Sequence, residues 1–197
     1  MEYDIRKEGN KYYILQDGII LDTPNGNKVS TTNEHLAAEL QKALNDGESH
    51  EDGTSILCYH YSLLDFGEAA QSLVKNLTFE TFMQDEFLML GLDSPVRIAI
   101  AQAFFEIVPE HLETLPLHRR MAYVCLCSST CSIMLPYYLD SRVLQNENPE
   151  AALETFLEEL KEFYYESYES EINAEAAVEE LAPAIKVFIE YSSFEEV

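Results

Sequence analysis

Three cysteines, Cys125, Cys127 and Cys131, lie close together in one apolar segment. Thiolates at short spacing bind zinc or exchange disulfides. On a helix, however, Cys127 and Cys131 share a face while Cys125 lies on another, and no histidine is near in sequence to complete four ligands. We therefore interpret the three as small buried side chains of a tightly packed helix. No metal ion, cofactor or disulfide framework is expected.

A second candidate for chemistry is the segment of residues 55–61 (SILCYHY), which the pattern predicts to be a strand. On a strand, Cys58 and His60 share a face, as a nucleophile and its base must, but no third group that orients the base can be identified. No G-x-S-x-G, Walker, dinucleotide-binding or H-E-x-x-H motif occurs. We predict that the protein is not an enzyme. The alternative, an enzyme of unknown class, requires Cys58, His60 and His118 to converge in one cleft.

A basic cluster, His118, Arg119 and Arg120, precedes the apolar segment in an otherwise acidic chain. Such a cluster at the start of a helix is compatible with an anion site. Pairing with surrounding carboxylates is the favoured interpretation, because the helix dipole disfavours cations at that end.

Glutamates alternate with aromatic residues across residues 153–171 (LETFLEELKEFYYESYESE). Helical spacing predicts that residues 153, 156, 157, 160, 163, 164 and 168 form a core-facing stripe. The glutamates and Tyr165 then face outward. A solvated acidic face is one interpretation. The other is a surface that recognises a basic or amphipathic protein, because tyrosine adds contact area at low entropic cost.

The formal charge is −24, from 36 acidic and 12 basic residues. Such a field repels phosphate backbones and anionic lipid headgroups, so nucleic acid and membrane are not expected as partners. An alternative function follows from the charge alone: an acidic inhibitor or nucleic-acid mimic that occupies a basic groove. No signal or transit peptide is evident, and the uncharged stretch of residues 121–139 is interpreted as a buried helix, so a cytoplasmic protein is expected.

These residues must be positioned by an α+β fold, with a small N-terminal antiparallel β-rich domain (residues 1–61) followed by a larger, mostly α-helical domain (residues 62–197). Residues 11–30 predict a β meander with turns at Asp17-Gly18 and Asn25-Gly26. Thr31 and Glu34 form a capping-box pattern before a helix that ends near Asn45. The later helices are predicted at residues 63–75, 79–90, 96–108, 116–139, 149–168 and 174–191.

Several motifs resemble those of the ATP synthase assembly chaperones that act on the alpha subunit. Residues 13–26 (YILQDGIILDTPNG) are similar to the family's "LDGR-x-L-x-TP-x-G" opening. Residues 33–40 resemble its "LA-x-x-x-A-x-EW" helix, residues 54–59 its "D-T-L-C-Y-R" strand and residues 62–66 its "PLLDW" motif. Residues 128–132 stand where the family has a small-residue helix. This chain has no tryptophan, so the family's tryptophan-containing signatures are altered.

The resemblance implies a β domain followed by a helical domain, no cofactor, and a chaperone's hold on an unassembled ATP synthase subunit. The family's functional acidic residue would fall between Tyr165 and Glu175. Its candidates stay open among Glu166, Glu169, Glu171 and Glu175. With Tyr165, these four glutamates form the predicted partner-binding site.

Overall fold

The structure is a computed structural model that describes residues 2–85, 87, 92–168, 171–195 and 197, except for the side chains of residues 167, 168 and 171. A four-stranded antiparallel sheet opens the chain, with β1 (Tyr3–Glu8), β2 (Lys11–Gln16), β3 (Ile19–Ile20) and β4 (Ser30–Thr31). β2 is central, because it pairs with β1 on one side and with β3 and β4 on the other.

The predicted Asp-Gly turn is confirmed, since Asp17 and Gly18 have φ values of 50° and 81° between β2 and β3. β1 was not predicted. The strand, with the sequence YDIRKE, pairs along one side only, and most of its side chains are in solvent. Charged residues are therefore common in it.

Helix α1 (Glu34–Asn45) covers the sheet and ends where the sequence predicts. Its cap differs from the prediction. The Asn33 side chain, rather than Thr31, accepts the hydrogen bond from the Leu36 amide, at 3.0 Å. The Thr31 hydroxyl instead accepts from the Asn33 amide, at 3.0 Å, and so fixes the chain one step before the helix.

The predicted strand at residues 55–61 is wrong, because these residues begin helix α2 (Ile56–Asn76). Ser55 caps the helix by accepting a hydrogen bond from the Leu57 amide, at 3.2 Å. A continuous apolar run fits a buried strand or a helix buried on all sides equally well, and periodicity does not separate the two. The domain boundary predicted between residues 61 and 62 falls inside this helix.

Helix α2 is kinked at Phe66, whose φ and ψ are −132° and 28°. Just before the kink, the Asp65 carboxylate accepts hydrogen bonds from the Thr23 hydroxyl and from the Asn27 amide group, the latter at 2.7 Å. These bonds tie the loop between β3 and β4 to the helical part of the chain.

The rest of the described chain is helical: α3 (Phe79–Met83), α4 (Ser94–Thr114), α5 (Leu117–Thr130), α6 (Met134–Leu139), a π-helical turn (Asp140–Leu144), α7 (Pro149–Tyr168) and α8 (Glu171–Ser192). α5 packs against α2 and α8, and α7 pairs with α8. The α+β class is therefore confirmed. No described helix is long and apolar enough to cross a membrane.

The predicted single helix at residues 116–139 is wrong, because it is divided into α5 and α6. Cys131 ends α5 in the left-handed region, with φ 52° and ψ 30°. The buried Asp85 carboxylate then accepts hydrogen bonds from the Ser132 hydroxyl and from the Ile133 and Met134 amides, at 2.7–3.1 Å. A distant carboxylate thus satisfies the amides that a continuous helix would have bonded internally.

Candidate functional site: an acidic groove between the last two helices

Helix α7 has two chemically different faces, as the sequence predicts. Phe156, Leu160 and Tyr164 are buried against the rest of the helical array. Glu158, Glu162 and neighbouring glutamates are exposed. The predicted core stripe is confirmed for the described side chains, and Tyr168 lies outside them.

The exposed face of α7 and the start of α8 form a groove of about 490 Å³. We call it the acidic groove. Its lining residues are Glu158, Lys161, Glu162, Tyr165, Glu166 and Ala174. The three glutamates follow one another at four-residue spacing, which places their carboxylates about 6 Å apart along one side of the helix.

Charge in the acidic groove is unbalanced. Lys161 donates a hydrogen bond to the Glu175 carboxylate, at 2.6 Å, and this ion pair links α7 to α8. Within the described part of the chain, Glu158, Glu162 and Glu166 form no ion pair. The groove therefore carries a net negative potential, which favours the binding of an external cation.

Two large exposed side chains belong to the same part of the two helices. Tyr165 lines the groove and is 53% exposed. Ile172, two residues before Ala174 in α8, is 79% exposed. Exposed aromatic and aliphatic side chains beside charge are typical of protein contact surfaces.

The structure brings together three of the five predicted partner-binding residues. Tyr165 and Glu166 line the groove, and Glu175 bonds the groove residue Lys161. Glu169 lies outside the described residues, and Glu171 begins α8 with a side chain that is likewise outside them. Sequence reasoning did not assign Glu158 and Glu162 to the site, although their four-residue spacing from Glu166 places all three on one helix face.

Cys58 and His60 do not face one another as a nucleophile and base, because they lie on a helix rather than a strand. His60 is 1% exposed, with its Nε2 3.0 Å from the Ser30 carbonyl oxygen and its Nδ1 3.3 Å from the Tyr191 hydroxyl. Burial lowers the pKa of His60 to about 4. A hydrogen bond from the Cys125 thiol lowers the pKa of Cys58 to about 7.

His118 is also buried, and its Nε2 lies 2.8 Å from the Phe194 carbonyl oxygen. The His60 and His118 rings both contact Tyr191, with centroids 6.3 and 6.1 Å from the tyrosine ring. In both imidazoles, one ring nitrogen thus lies within hydrogen-bond distance of a backbone carbonyl oxygen. The geometry favours a packing role for them.

The three clustered cysteines differ more than their sequence context predicts. Cys125 and Cys127 are half-buried, and burial raises the pKa of Cys127 to about 11. Cys131 is exposed at the end of α5, so the prediction that all three are buried is wrong. Among the described residues, no group of three or more His, Cys, Asp or Glu side chains is arranged to hold a metal ion.

The basic cluster pairs with carboxylates only in part. Arg119 bonds Asp140, as predicted. Arg120 instead donates to the carbonyl oxygens of Leu115 and Glu113, at 2.9 and 3.0 Å. Backbone carbonyls at the end of the preceding helix, where the dipole is negative, take the place of the expected carboxylates.

Asp140 is the centre of a buried polar network that the sequence did not indicate. Its carboxylate is fully buried at the start of the π-helical turn. It accepts hydrogen bonds from Arg119, from His111 at 2.8 Å and from Tyr123 at 3.0 Å. These donors come from helices α4 and α5, so one carboxylate holds three elements together.

Comparisons with family models, curated proteins and solved structures found no match for this chain. The resemblance to the ATP synthase assembly chaperones therefore remains a prediction from the motifs quoted above. Function has to be argued from the site itself.

Proposed function

We propose that this chain is a non-catalytic protein-binding protein that holds its partner as an assembly chaperone does, with the acidic groove as the contact surface. The observation that carries the proposal is the row of Glu158, Glu162 and Glu166 beside the exposed Tyr165. These three carboxylates form no ion pair within the described part of the chain, and they border a concave surface with an aromatic side chain in it.

The chemistry of the groove favours a basic amphipathic segment as the bound element. Lysine or arginine side chains that repeat once per helical turn match carboxylates that are about 6 Å apart. An apolar residue on the same segment packs on Tyr165. Such contacts combine charge complementarity, which speeds association, with aromatic burial, which slows dissociation.

The motif resemblance supports a particular partner, an unassembled ATP synthase subunit. A subunit surface that is covered in the finished complex is exposed beforehand and needs temporary protection. A chain with a net charge of −24 remains dispersed while it holds such a surface. The partner is expected to be released when its normal neighbour occupies the same surface.

The test is capture of proteins from the native host on the full chain at moderate salt. The groove variant combines Glu162→Gln, Tyr165→Ala and Glu166→Gln. We expect the wild-type chain to retain an ATP synthase subunit in its unassembled form and the groove variant to lose it. The control is Glu179→Gln, an exposed glutamate on α8 that does not line the groove.

Equal capture by the wild type and the groove variant would remove the groove from the proposal. Capture of an unrelated basic protein through the groove would keep the binding function and reject the ATP synthase partner. Recovery of no protein at all would count against protein binding itself.

The second candidate function is an acidic inhibitor or nucleic-acid mimic, and it is favoured by the same three glutamates, which form no ion pair with any described residue. The two functions differ in their dependence on salt. A complex held by charge alone weakens steeply as ionic strength rises, whereas one anchored on Tyr165 retains a salt-resistant part. Titration of the captured partner between low and high salt therefore separates them.

A further inference from the structure

A second cavity, of about 470 Å³, shares no lining residue with the acidic groove. It is lined by Gly53 and Thr54, by residues at the junction between α5 and α6, by Tyr164 of α7 and by one side of α8. Tyr164 lines this cavity, whereas the next residue, Tyr165, lines the acidic groove. The two sites are therefore separate.

Four serine and threonine side chains line this cavity, in addition to the phenol of Tyr164: Thr54, Ser129, Thr130 and Ser132. We call it the hydroxyl cavity. A hydroxyl group has one hydrogen to donate and two lone pairs that accept. If a hydroxyl donates its hydrogen to another group of the protein, it can only accept a hydrogen bond from a ligand.

At the junction of α5 and α6, the hydroxyl hydrogens are used within the protein. Ser129 donates to the carbonyl oxygen of Cys125 or Leu126, both at 3.1 Å, and Thr130 donates to that of Leu126, at 2.7 Å. Bonds of this kind from serine and threonine to the preceding helical turn are common. Both oxygen atoms retain lone pairs that can accept.

The other two hydroxyls are committed in the same way. Thr54 donates to the Asp52 carboxylate, at 2.7 Å. Ser132 donates to the buried Asp85 carboxylate, at 2.9 Å. All four of these hydroxyls therefore use their hydrogens within the protein. Ser132 also accepts a hydrogen bond from the Leu135 amide, at 3.0 Å, so Thr54, Ser129 and Thr130 offer a ligand more lone pairs than Ser132 does.

A carboxylate adds to the acceptor groups of the wall. Glu180 of α8 lines the cavity with its carboxylate and, among the described residues, forms no ion pair. Leu135 and Leu181, with the rings of Phe87 and Tyr164, form the apolar part of the wall. The cavity thus combines acceptor oxygens and one negative charge with apolar and aromatic surface.

We propose that the hydroxyl cavity binds an ammonium or guanidinium group carried on an aliphatic stem. The cationic head supplies hydrogens to the oxygens of Thr54, Ser129 and Thr130 and to the Glu180 carboxylate, and the methylene stem packs on the leucines and aromatic rings. Two sources share this chemistry: a free alkylamine, and a lysine or arginine side chain of a bound protein. The proposal goes beyond the acidic groove and does not depend on it.

The first test uses n-butylammonium and n-butylguanidinium as probes, with 1-butanol and butyrate as neutral and anionic controls. Each is titrated into the isotope-labelled full chain and followed by amide chemical shifts. We expect saturable shifts at Gly53, Ser129, Thr130 and Glu180 with the two cations, and none with butanol or butyrate at equal concentration. Equal shifts with butanol, or cation shifts spread evenly over the acidic surface, would overturn the proposal.

The second test uses a matched pair of variants on one helix. Glu180→Gln removes the carboxylate of the cavity, and we expect it to weaken n-butylammonium binding roughly fivefold. Glu179→Gln removes the same charge one residue earlier, outside the cavity, and should leave binding unchanged. Because both side chains are exposed, neither change should disturb folding. Equal weakening in both variants would mean that total charge, rather than this cavity, attracts the probe.

A third probe, lysine with both ends blocked as amides, separates the two sources. Binding at least as tight as that of n-butylammonium means that the cavity accommodates a side chain attached to a backbone, as a partner protein would present it. Binding of the free amine alone means that the ligand is a small amine. Failure of both probes rejects the site.

Discussion

Carboxylates serve opposite purposes in two regions of this molecule. In the core, Asp140 and Asp85 are almost fully buried, and each accepts several hydrogen bonds from other elements. In the acidic groove, Glu158, Glu162 and Glu166 are exposed and form no ion pair within the described part of the chain. Carboxylates that stabilise the fold accept hydrogen bonds from side chains and amides of the same protein. The glutamates of the groove leave their oxygens available to a second protein.

The strongest way to break this contrast is to remove the Asp140 side chain. Asp140→Ala leaves the Arg119 guanidinium without its carboxylate and removes the acceptor used by His111 and Tyr123. Loss of one partner of a buried ion pair costs about 3–5 kcal/mol. Denaturant unfolding monitored by circular dichroism measures the change. A loss below about 1 kcal/mol would show that the network is not a principal source of stability.

Buried ionisable groups should also make stability depend on pH, and His60 is the clearest case. Its pKa is about 4 in the folded chain against an ordinary value of 6.5. Between these values the unfolded chain binds a proton at His60 and the folded chain does not. Stability is therefore fully present above pH 6.5 and is lost as the pH falls towards 4, by about 3 kcal/mol in all.

Unfolding free energies of the wild type and of His60→Gln, measured across this pH window, isolate the effect. Carboxylates that titrate in the same range contribute equally to both proteins. The wild type should lose more stability on acidification than the variant. Parallel curves would contradict the assignment.

Asp85 gives a smaller test of the same idea, because the donors from Ser132, Ile133 and Met134 that it accepts from are neutral. Asp85→Ala leaves the Ile133 and Met134 amides and the Ser132 hydroxyl without an acceptor at the start of α6. We expect a loss of about 2 kcal/mol in unfolding free energy. Hydrogen exchange should show faster exchange of these two amides. Unchanged protection there would mean that other groups hold the junction.

Neutralising the acidic groove should affect stability least. The combination of Glu158→Gln, Glu162→Gln and Glu166→Gln removes three exposed charges from a chain of net charge −24, so the change in unfolding free energy is expected within about 0.5 kcal/mol. Relief of repulsion between neighbouring carboxylates makes a slight gain the expected sign. A loss of unfolding free energy comparable to that of Asp140→Ala would show that the groove carboxylates also stabilise the fold.

Sequence patterns predicted helices well where one face is apolar and the other charged. α7 was predicted with its observed bounds, residues 149–168, because its periodicity is clear and Asn148 and Pro149 mark its start. Its outward glutamates were likewise apparent, so the acidic face of α7 follows from the sequence.

The same patterns failed where residues are apolar on every side. Residues 55–61 carry no periodicity that separates helix from strand, and a cap at Ser55 decided in favour of the helix. Helix α5 ends at Cys131, where Asp85 accepts hydrogen bonds from the residues that follow. Asp85 is far away in the sequence, so no local pattern predicts this end. Asp140 was missed for the same reason, because its donors Arg119 and His111 lie on other helices.

By itself, the sequence determined the α+β class, the exposed acidic face of α7 and the strongly negative charge, because each depends on local periodicity or on composition. Only the tertiary structure decided which carboxylates are paired, that Glu158, Glu162 and Glu166 border a groove, and that Thr54 and Ser129 share a cavity with Glu180. Those properties depend on distances between residues that are remote in the chain. Such distances are set by packing, which no local pattern encodes.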